Sequence, residues 1–422
     1  MKPKRVAVVS CLFVLLALPV VMSRPSTPSP PSRTFLFAYH VSLKSIPQGA
    51  GRVRIWMPRP ASDKNQTVIL KKMTGTIPLR ETREAVFGNQ ILYAEMLHPS
   101  SDSAEFRIEY QVTRREYSQG GFENLLREEE SAGGALPESI AGFLQPDRLV
   151  PVQGKLKELA DDNTRGIEGA VRKAHALYDY VFHTVRYDKS GTGWGRGDSL
   201  WVCDSKHGNC TDFHSLFISL ARAEGIPARF EIGFPLPAAK EGTVPGYHCW
   251  AEFFVNGPGW VPVDISEAWK DPAKLDYFFG SLDDNRVQFS VGRDVMLQPK
   301  QDGPPLNYFV YPYVEIDGQP FESVEKEFAF RDLATGKSRV AMWHVGGDVR
   351  PELAKDGSKG VAPYGVSKLL RQRSRSAALA GVVGRGNSLS HAAAQQLRKV
   401  KAVVPVVVRS DQNTRGRIDA TL

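Results

Sequence analysis

Cys210 lies in a segment, GNCTDFHSLF, whose residue types suit a reactive thiol. Asn209 is a preferred N-cap residue, and Asp212 follows three residues later, which is an Asn/Asp version of the capping box. This pattern places Cys210 at the first residue of a helix. The positive end of the helix dipole favours thiolate over thiol there, and thiolate is the form that attacks a carbonyl carbon. The sequence therefore makes Cys210 a candidate nucleophile.

A nucleophile of this kind needs a base and a group that orients the base. GYHCWAEFF supplies His248, and the later segment GWVPVDISEAW supplies Asp264. If the two segments pair as a hairpin, both side chains share a sheet face only when paired residue numbers sum to an even value. A three-residue loop that closes Asn256 against Trp260 meets this requirement, and we predict that register.

The elements that position these residues change in character along the chain. Residues 33–136 hold short apolar–polar alternating runs between Gly, Pro, Asn, Asp and Ser, a pattern typical of a β-sandwich. Helical spacing follows over residues 167–185 and again after Cys210, and strand-like runs follow at 228–234, 248–255 and 260–264. The sequence thus predicts an α+β chain in which a β-sandwich precedes a second domain, residues 137–331.

Three segments resemble the transglutaminase-like superfamily in order, spacing and surrounding aromatic residues: GNCTDFHSLFISLARAEGIPARFEIGF, GYHCWAEFF and GWVPVDIS. The resemblance implies a papain-like core, in which a helix bearing the cysteine packs on an antiparallel sheet bearing the histidine and aspartate. It implies that Cys210 is the nucleophile, His248 the general base and acid, and Asp264 the orienting partner.

The activity implied by this resemblance is thiol-dependent cleavage of amide or peptide bonds through a thioester, in a protein or peptide substrate such as a cell-wall peptide. Hydrolysis is slightly favoured over acyl transfer to an amine. No metal or organic cofactor is implied. The alternative is a noncatalytic member that serves as an envelope binding or assembly module.

The oxyanion formed by thiolate attack needs hydrogen-bond donors. The backbone N–H of the cysteine is one candidate, and in similar proteins a side chain upstream of the cysteine is the second, for which Trp201 and Tyr187 are candidates here. Asn209, His214 and Trp250 are candidates to support the triad from outside. Of these, His214 lies four residues after the cysteine, on a neighbouring helical face.

Cysteines and histidines cluster closely enough in sequence to raise two alternatives to a catalytic thiol. The cluster comprises Cys203, His207, Cys210, His214, His248 and Cys249. A zinc site is disfavoured because adjacent His248 and Cys249 should point to opposite faces of a strand. For the same reason Cys249 should face away from the catalytic thiol. We expect a Cys203–Cys249 disulfide or none, since a Cys203–Cys210 disulfide would silence the nucleophile.

The two ends of the chain predict export and a basic tail. Residues 1–23 combine basic residues with an apolar run, as in a signal peptide, and 24–32 form a Pro/Ser linker. We therefore predict a periplasmic or extracellular protein, with a membrane-anchored form as the alternative. Residues 332–422 are predicted to be largely disordered.

The net charge of +8 comes from this tail. After residue 334 there are 16 lysines and arginines against 5 acidic residues, whereas residues 1–334 hold 38 against 41. The tail is thus suited to contact an anionic envelope polymer. The body shows no basic face interleaved with aromatic residues, so nucleic acid is not an expected partner of the core.

Overall fold

A computed structural model describes residues 30–333, which form a mixed α and β structure within one compact unit. The predicted signal peptide, most of the linker and nearly all of the basic tail lie outside the described residues. The helices in the described part are α1 (Phe122–Ala132), α2 (Glu138–Ala141), α3 (Lys155–Thr164), α4 (Ala170–Thr184), α5 (Ser199–Ser205), α6 (Cys210–Ala223) and α7 (Ile265–Lys270), with 3-10 turns at Gly142–Leu144 and Pro272–Lys274.

The strands of the same residues belong to two five-stranded sheets, one four-stranded sheet and two short pairs. They are β1 (Ser32–Leu43), β2 (Arg52–Arg59), β3 (Gln66–Gly75), β4 (Arg80–Arg83), β5 (Gln90–Leu97), β6 (Ala104–Arg115), β7 (Tyr117–Ser118), β8 (Arg186–Tyr187), β9 (His207–Gly208), β10 (Ala228–Pro235), β11 (Glu241–Thr243), β12 (His248–Val255), β13 (Gly259–Val263), β14 (Ser281–Leu282), β15 (Arg286–Val291), β16 (Tyr313–Ile316), β17 (Gln319–Pro320) and β18 (Val324–Asp332).

The two five-stranded sheets hold the N-terminal strands, in the orders β11-β18-β1-β6-β3 and β17-β16-β2-β5-β4. Alternate residues of β6 are buried, as the sequence predicted, because one face of the strand covers the core: Phe106, Ile108, Tyr110 and Val112. Side chains from both sheets share one buried hydrophobic cluster. The β-sandwich itself stays a prediction.

Strands from the end of the described chain complete both of these sheets. β18 pairs antiparallel with β1 over nine residue pairs, from Phe35–Asp332 to Leu43–Val324, and β16 pairs with β2. The predicted division of the chain at residue 136 stays a prediction. The pairings nevertheless join residues 313–332 to the sheets that the first hundred residues begin.

The four-stranded sheet, in the order β13-β12-β10-β15, carries helix α6 on one face. The predicted boundaries of β12 are confirmed, and the predicted helix over 167–185 corresponds to α4, Ala170–Thr184. Every residue of α6 from Cys210 to Arg222 is buried. A helix that is buried all round holds its first residue in a fixed place relative to the sheet.

The predicted hairpin has the right parity but a different closing pair. β12 and β13 pair with residue numbers that sum to 514, so the loop closes Val255 against Gly259 rather than Asn256 against Trp260. Three residues still separate the closing pair, and the even sum still puts His248 and Asp264 on one face. The loop ends at Gly259 with φ 78°, a left-handed conformation that glycine adopts easily. Trp260, the predicted closing residue, would adopt it less readily.

Candidate active site

The start of α6 is built as the capping pattern predicted. The Asn209 side chain accepts a hydrogen bond from the Thr211 N–H at 2.9 Å, and Asp212 Oδ2 accepts from the Asn209 N–H at 2.8 Å. A side chain at Gly208 would collide with Asp212, because its Cβ would lie 2.3 Å from that carboxylate. The backbone before the helix is therefore fixed, and Cys210 is the first helical residue.

His248 and Asp264 lie in direct contact beneath this helix start. His248 Nε2 and Asp264 Oδ2 are 2.7 Å apart, and both residues are buried. Burial alone would lower the pKa of His248, but the Asp264 charge and hydrogen bond, with the Cys210 side chain, raise it to about 10. The ring is thus protonated at neutral pH, and its Nδ1 is the nitrogen left for the thiol.

The pKa of the Cys210 thiol reflects burial and two neighbouring side chains. Burial raises the pKa of its thiol, but hydrogen bonds with Cys249 and His248 and the charge of His248 outweigh burial and hold the pKa well below the usual value. The helix start acts in the same direction. These pKa shifts favour the charged forms of both groups, a thiolate on Cys210 and an imidazolium on His248.

The expectation that Cys249 faces away from the catalytic thiol is wrong. Its Sγ lies 3.8 Å from Thr211 Oγ1 and 3.7 Å from His214 Nδ1, so the side chain packs against the first turns of α6, the helix that begins with Cys210. Cys210 meets both His248 and Cys249 because these are the first two residues of β12, where the helix start lies over the strand end.

All three cysteines in residues 30–333 are free thiols, so no disulfide occupies Cys210. Of the two outcomes expected from the sequence, a Cys203–Cys249 disulfide or none, the structure has none. Within the same residues, no group of three or more His, Cys, Asp or Glu side chains is placed to hold a metal ion.

His214 lies on the buried side of the site. Its Nε2 accepts a hydrogen bond from the Ile265 N–H at 3.1 Å and lies 3.7 Å from Asp264 Oδ1, while Nδ1 lies 3.7 Å from Cys249 Sγ. Burial lowers the pKa of His214 to about 4, so the ring is neutral. It connects helix α6 to the first residues of α7 and does not share a proton with the thiolate.

The two candidate oxyanion donors occupy different surroundings. Tyr187 pairs with Gly208 across the parallel β8–β9 pair, and the pKa of its hydroxyl is raised by burial and by the Cys210 charge. The Trp201 indole instead packs beside Gly193 and lies 5.2 Å from the His207 ring. Both residues therefore stay candidates for the second donor.

Trp250 and Arg286 lie on the other side of the His248–Asp264 pair. The centroids of the Trp250 and His248 rings are 6.3 Å apart. Arg286 Cζ lies over the Trp250 ring, 5.1 Å from its centroid. Arg286 Nη1 also donates to Asp264 Oδ2 at 2.8 Å. Sequence reasoning missed Arg286, because nothing in DDNRVQFS marks an arginine that reaches a residue 22 positions earlier.

Tyr247 is a second residue that the sequence did not single out. Its hydroxyl accepts from Asn209 Nδ2 at 3.0 Å and lies 3.0 Å from Thr211 Oγ1. Its ring packs against those of Tyr308 and Tyr311 at 5.5 and 6.0 Å. These rings line one side of the helix start, and the signal for Tyr247 was its position directly before His248.

Comparisons with known proteins agree with the resemblance stated from the sequence. Residues 157–265 match the family described as the transglutaminase-like superfamily, which confirms the resemblance over that segment. An uncharacterized protein of Haemophilus influenzae is 26% identical over 324 residues, which cover 68% of this chain and 87% of that protein.

Two solved structures are similar to this chain at TM-scores below 0.5. One carries the name "Putative Cysteine Protease" and comes from Cytophaga hutchinsonii; it is 17% identical, with 74% of this chain and 94% of that one covered, at a TM-score of 0.49. The other is the periplasmic domain of TgpA from Pseudomonas aeruginosa, which is 18% identical, with 56% of this chain and 77% of that one covered, at a TM-score of 0.30.

Within residues 30–333, no helix is long and apolar enough to cross a bilayer.

Proposed function

Because residues 157–265 carry a transglutaminase-like core, we propose that this chain is a thiol-dependent enzyme that breaks amide or peptide bonds through a thioester acyl-enzyme. The observation that carries the proposal is the 2.7 Å contact between His248 Nε2 and Asp264 Oδ2 close to Cys210, the first residue of α6. A nucleophile, a proton carrier and an orienting carboxylate in this arrangement are the parts that acyl transfer requires.

The first half of the reaction transfers the acyl group to sulfur. The Cys210 thiolate attacks the carbonyl carbon, an S–C bond forms, and the carbonyl electron pair moves onto oxygen. Collapse of this intermediate breaks the C–N bond, and the His248 imidazolium gives its proton to the departing amine. Asp264 stays ionised throughout and keeps the ring in place through Nε2.

The second half releases the acyl group. His248, now neutral, takes a proton from water as water attacks the thioester carbonyl. The C–S bond breaks, the thiolate returns, and the product is a carboxylic acid. An amine in place of water would give a new amide, so the same residues serve hydrolysis and transfer. We favour hydrolysis slightly.

The Cys210 N–H is the first donor we propose for the oxyanion. Since it belongs to the first turn of α6, it has no partner within the helix. We propose the Tyr187 hydroxyl, whose pKa burial and the Cys210 charge raise, or the Trp201 indole N–H as the second donor. A donor aimed at the oxyanion is worth about 3 kcal/mol of transition-state stabilisation.

We further propose a protein or peptide substrate, such as a cell-wall peptide, and action outside the cytoplasm. The signal-like residues 1–23 support export. The net positive charge after residue 334 supports attachment to an anionic envelope polymer. A noncatalytic binding module is the alternative that the following experiment separates.

Thiol alkylation across pH tests the proposal. Iodoacetamide should label Cys210 rapidly at pH 6, far below the ordinary thiol pKa of about 8.5, and the folded Cys210→Ala variant should lose this label. Cys203→Ala is the matched control, since it removes a buried thiol from α5 without touching the site. Slow labelling of Cys210 that follows an ordinary thiol titration would overturn the proposal.

A second measurement separates hydrolysis from transfer. The full chain is incubated with a peptide mixture, with and without methylamine, and mass spectrometry follows both the products and a thioester on Cys210. Hydrolysis gives free carboxylic acids that persist in methylamine, whereas transfer gives N-methylamides. The absence of any thioester and product across such mixtures, despite a reactive Cys210, favours the binding module.

A further inference from the structure

Arg286 is a buried cation that the proposed reaction does not yet use. It begins β15, where it pairs with Pro235 of β10, and only 2% of its surface is exposed. A buried guanidinium is costly unless it is paired and hydrogen-bonded. Its partners therefore indicate what the fold gains by keeping it there.

Three contacts hold the guanidinium in one place. Nη1 donates to Asp264 Oδ2 at 2.8 Å, while Nε and Nη2 lie 3.3 and 3.4 Å from Asp283 Oδ1. The plane of the group stacks on Trp250. Arg286 thus connects the residue that orients His248 to a second carboxylate, and it cannot move without breaking several contacts.

Asp264 Oδ2 is shared between two cationic groups. The oxygen accepts from His248 Nε2 at 2.7 Å and from Arg286 Nη1 at 2.8 Å, while Oδ1 accepts from the Glu267 N–H and from Ser266 Oγ. Burial would raise the pKa of Asp264, but His248, Arg286 and His214 hold it well below its usual range. Both oxygens therefore have fixed donors, and the carboxylate has a fixed orientation.

We propose that Arg286 is a positioning residue, which fixes Asp264 Oδ2 against His248 Nε2 and, by sharing that oxygen, keeps the imidazolium able to release its proton. The proposal rests on the proposed function. An unshared buried carboxylate would stabilise the imidazolium more strongly and make it a poorer acid toward the departing amine. The shared oxygen limits this effect, while the rigid guanidinium preserves the geometry.

Other charged groups face the same atoms and enter the balance. His248 Nε2 lies 3.8 Å from Glu267 Oε1, which in turn is bridged to Lys270. The charged groups around this site are Asp264, Glu267, Asp283, Cys210, Arg286, Arg114 and Lys270. Three titratable but neutral groups also face it: His214, Cys249 and Tyr178. Arg286 is the cation that touches the shared oxygen itself.

The test is the titration of the His248 ring, followed by NMR in the full chain labelled with [15N]histidine. The chain has nine histidines, and a His248→Gln variant assigns the resonance. Arg286→Gln keeps a donor but removes the charge, so its His248 midpoint should rise by about one pH unit. Arg286→Lys, which keeps the charge, should restore a midpoint close to the wild-type value.

Two further variants separate this role from a merely structural one. Arg222→Gln removes a buried arginine that pairs with Asp147 at 2.8 Å. Arg222 lies near the other end of α6, about 18 Å along the helix from Cys210. This variant should leave the His248 midpoint unchanged. Asp283→Asn should move the midpoint downward, because it frees Arg286 to act more strongly on Asp264. This variant also carries the test if Arg286→Gln does not fold.

The His248 titrations test the role of Arg286 independently of any enzymatic activity. An unchanged midpoint in Arg286→Gln, or equal shifts in the Gln and Lys variants, overturns the proposal. If the chain proves to have no amidase activity, the titrations still report whether Arg286 tunes His248, so the two proposals fail separately. Where activity is measured, Arg286→Gln should lower kcat with little change in KM.

Discussion

The environment of Cys210 shows how two thiols can share one site without forming a bond. Cys249 Sγ donates to Thr211 Oγ1 at 3.8 Å and lies 3.7 Å from His214 Nδ1, while burial and the charge of Cys210 raise the pKa of Cys249. The pair therefore holds one negative charge, which stays on Cys210 because that residue also faces His248 and the helix start. We therefore expect Cys249 to act on Cys210 as a hydrogen-bond donor as well as through packing.

Replacing Cys249 tests this donor at the level of a single atom. Cys249→Ala should raise the pH midpoint of Cys210 alkylation by about half a unit to one unit, because a hydrogen bond to the charged form is lost. Cys249→Ser is the matched control, since its hydroxyl still donates, and its midpoint should stay close to the wild-type value. If the alanine variant titrates like wild type, Cys249 acts only through packing.

At the scale of elements, the capping box of α6 places the nucleophile. Asp212 accepts from the Asn209 N–H and also from the Gly195 and Gly197 N–H groups at 2.6 and 3.0 Å. One carboxylate therefore fixes both the helix start and the preceding loop. The Asp212 carboxylate therefore fixes the position of Cys210.

Asp212→Ala should accordingly lower the free energy of unfolding and slow the alkylation of Cys210. We expect a loss of about 1–3 kcal/mol in the free energy of unfolding, because three buried donors lose their acceptor. Asp198→Ala removes the comparable N-cap of α5, which accepts from the Trp201 N–H at 3.2 Å. Urea unfolding should detect both losses, but only Asp212→Ala should slow Cys210 alkylation. Equal alkylation rates in both variants would contradict this role for Asp212.

Local motifs explain which parts of the site the sequence could predict. The cap before Cys210, the strand holding His248 and the hairpin parity that admits Asp264 are all set by residues within a few positions of one another. Arg286 and the approach of Cys249 to Cys210 depend instead on where β15 and the start of α6 lie against β12. Such contacts between distant segments leave no periodic trace in the sequence, and neither does the completion of the two N-terminal sheets by β18 and β16.

At the scale of the whole molecule, a buried charge cluster joins the four-stranded sheet to the N-terminal sheets. Arg229 lies 2.8 Å from Glu231 Oε1 and 2.6 Å from Glu252 Oε2, so one guanidinium serves two carboxylates. Arg114 of β6 and Asp63 border the same cavity of about 100 Å³. Burial and the Glu252 charge outweigh Arg229 and raise the pKa of Glu231 to about 8.

This cluster makes stability depend on pH in a direction that can be worked out. The pKa of Glu231 is about 8 when folded against 4.5 as its ordinary value, so the folded state binds the extra proton between those two pH values. Its contribution to stability is fully present below about pH 4.5 and is lost as the pH rises through about 8. Glu231→Gln, which cannot ionise and can keep its contact with Gln288, should remove this loss. Urea unfolding at pH 5, 7 and 9 should therefore show the variant gaining stability over wild type as the pH rises. Glu130→Gln, at an exposed site, is the control, and its unfolding free energy should follow the wild-type pH dependence. The same wild-type dependence in Glu231→Gln would contradict the prediction, because it would mean that Glu231 is already ionised in the folded protein at pH 5.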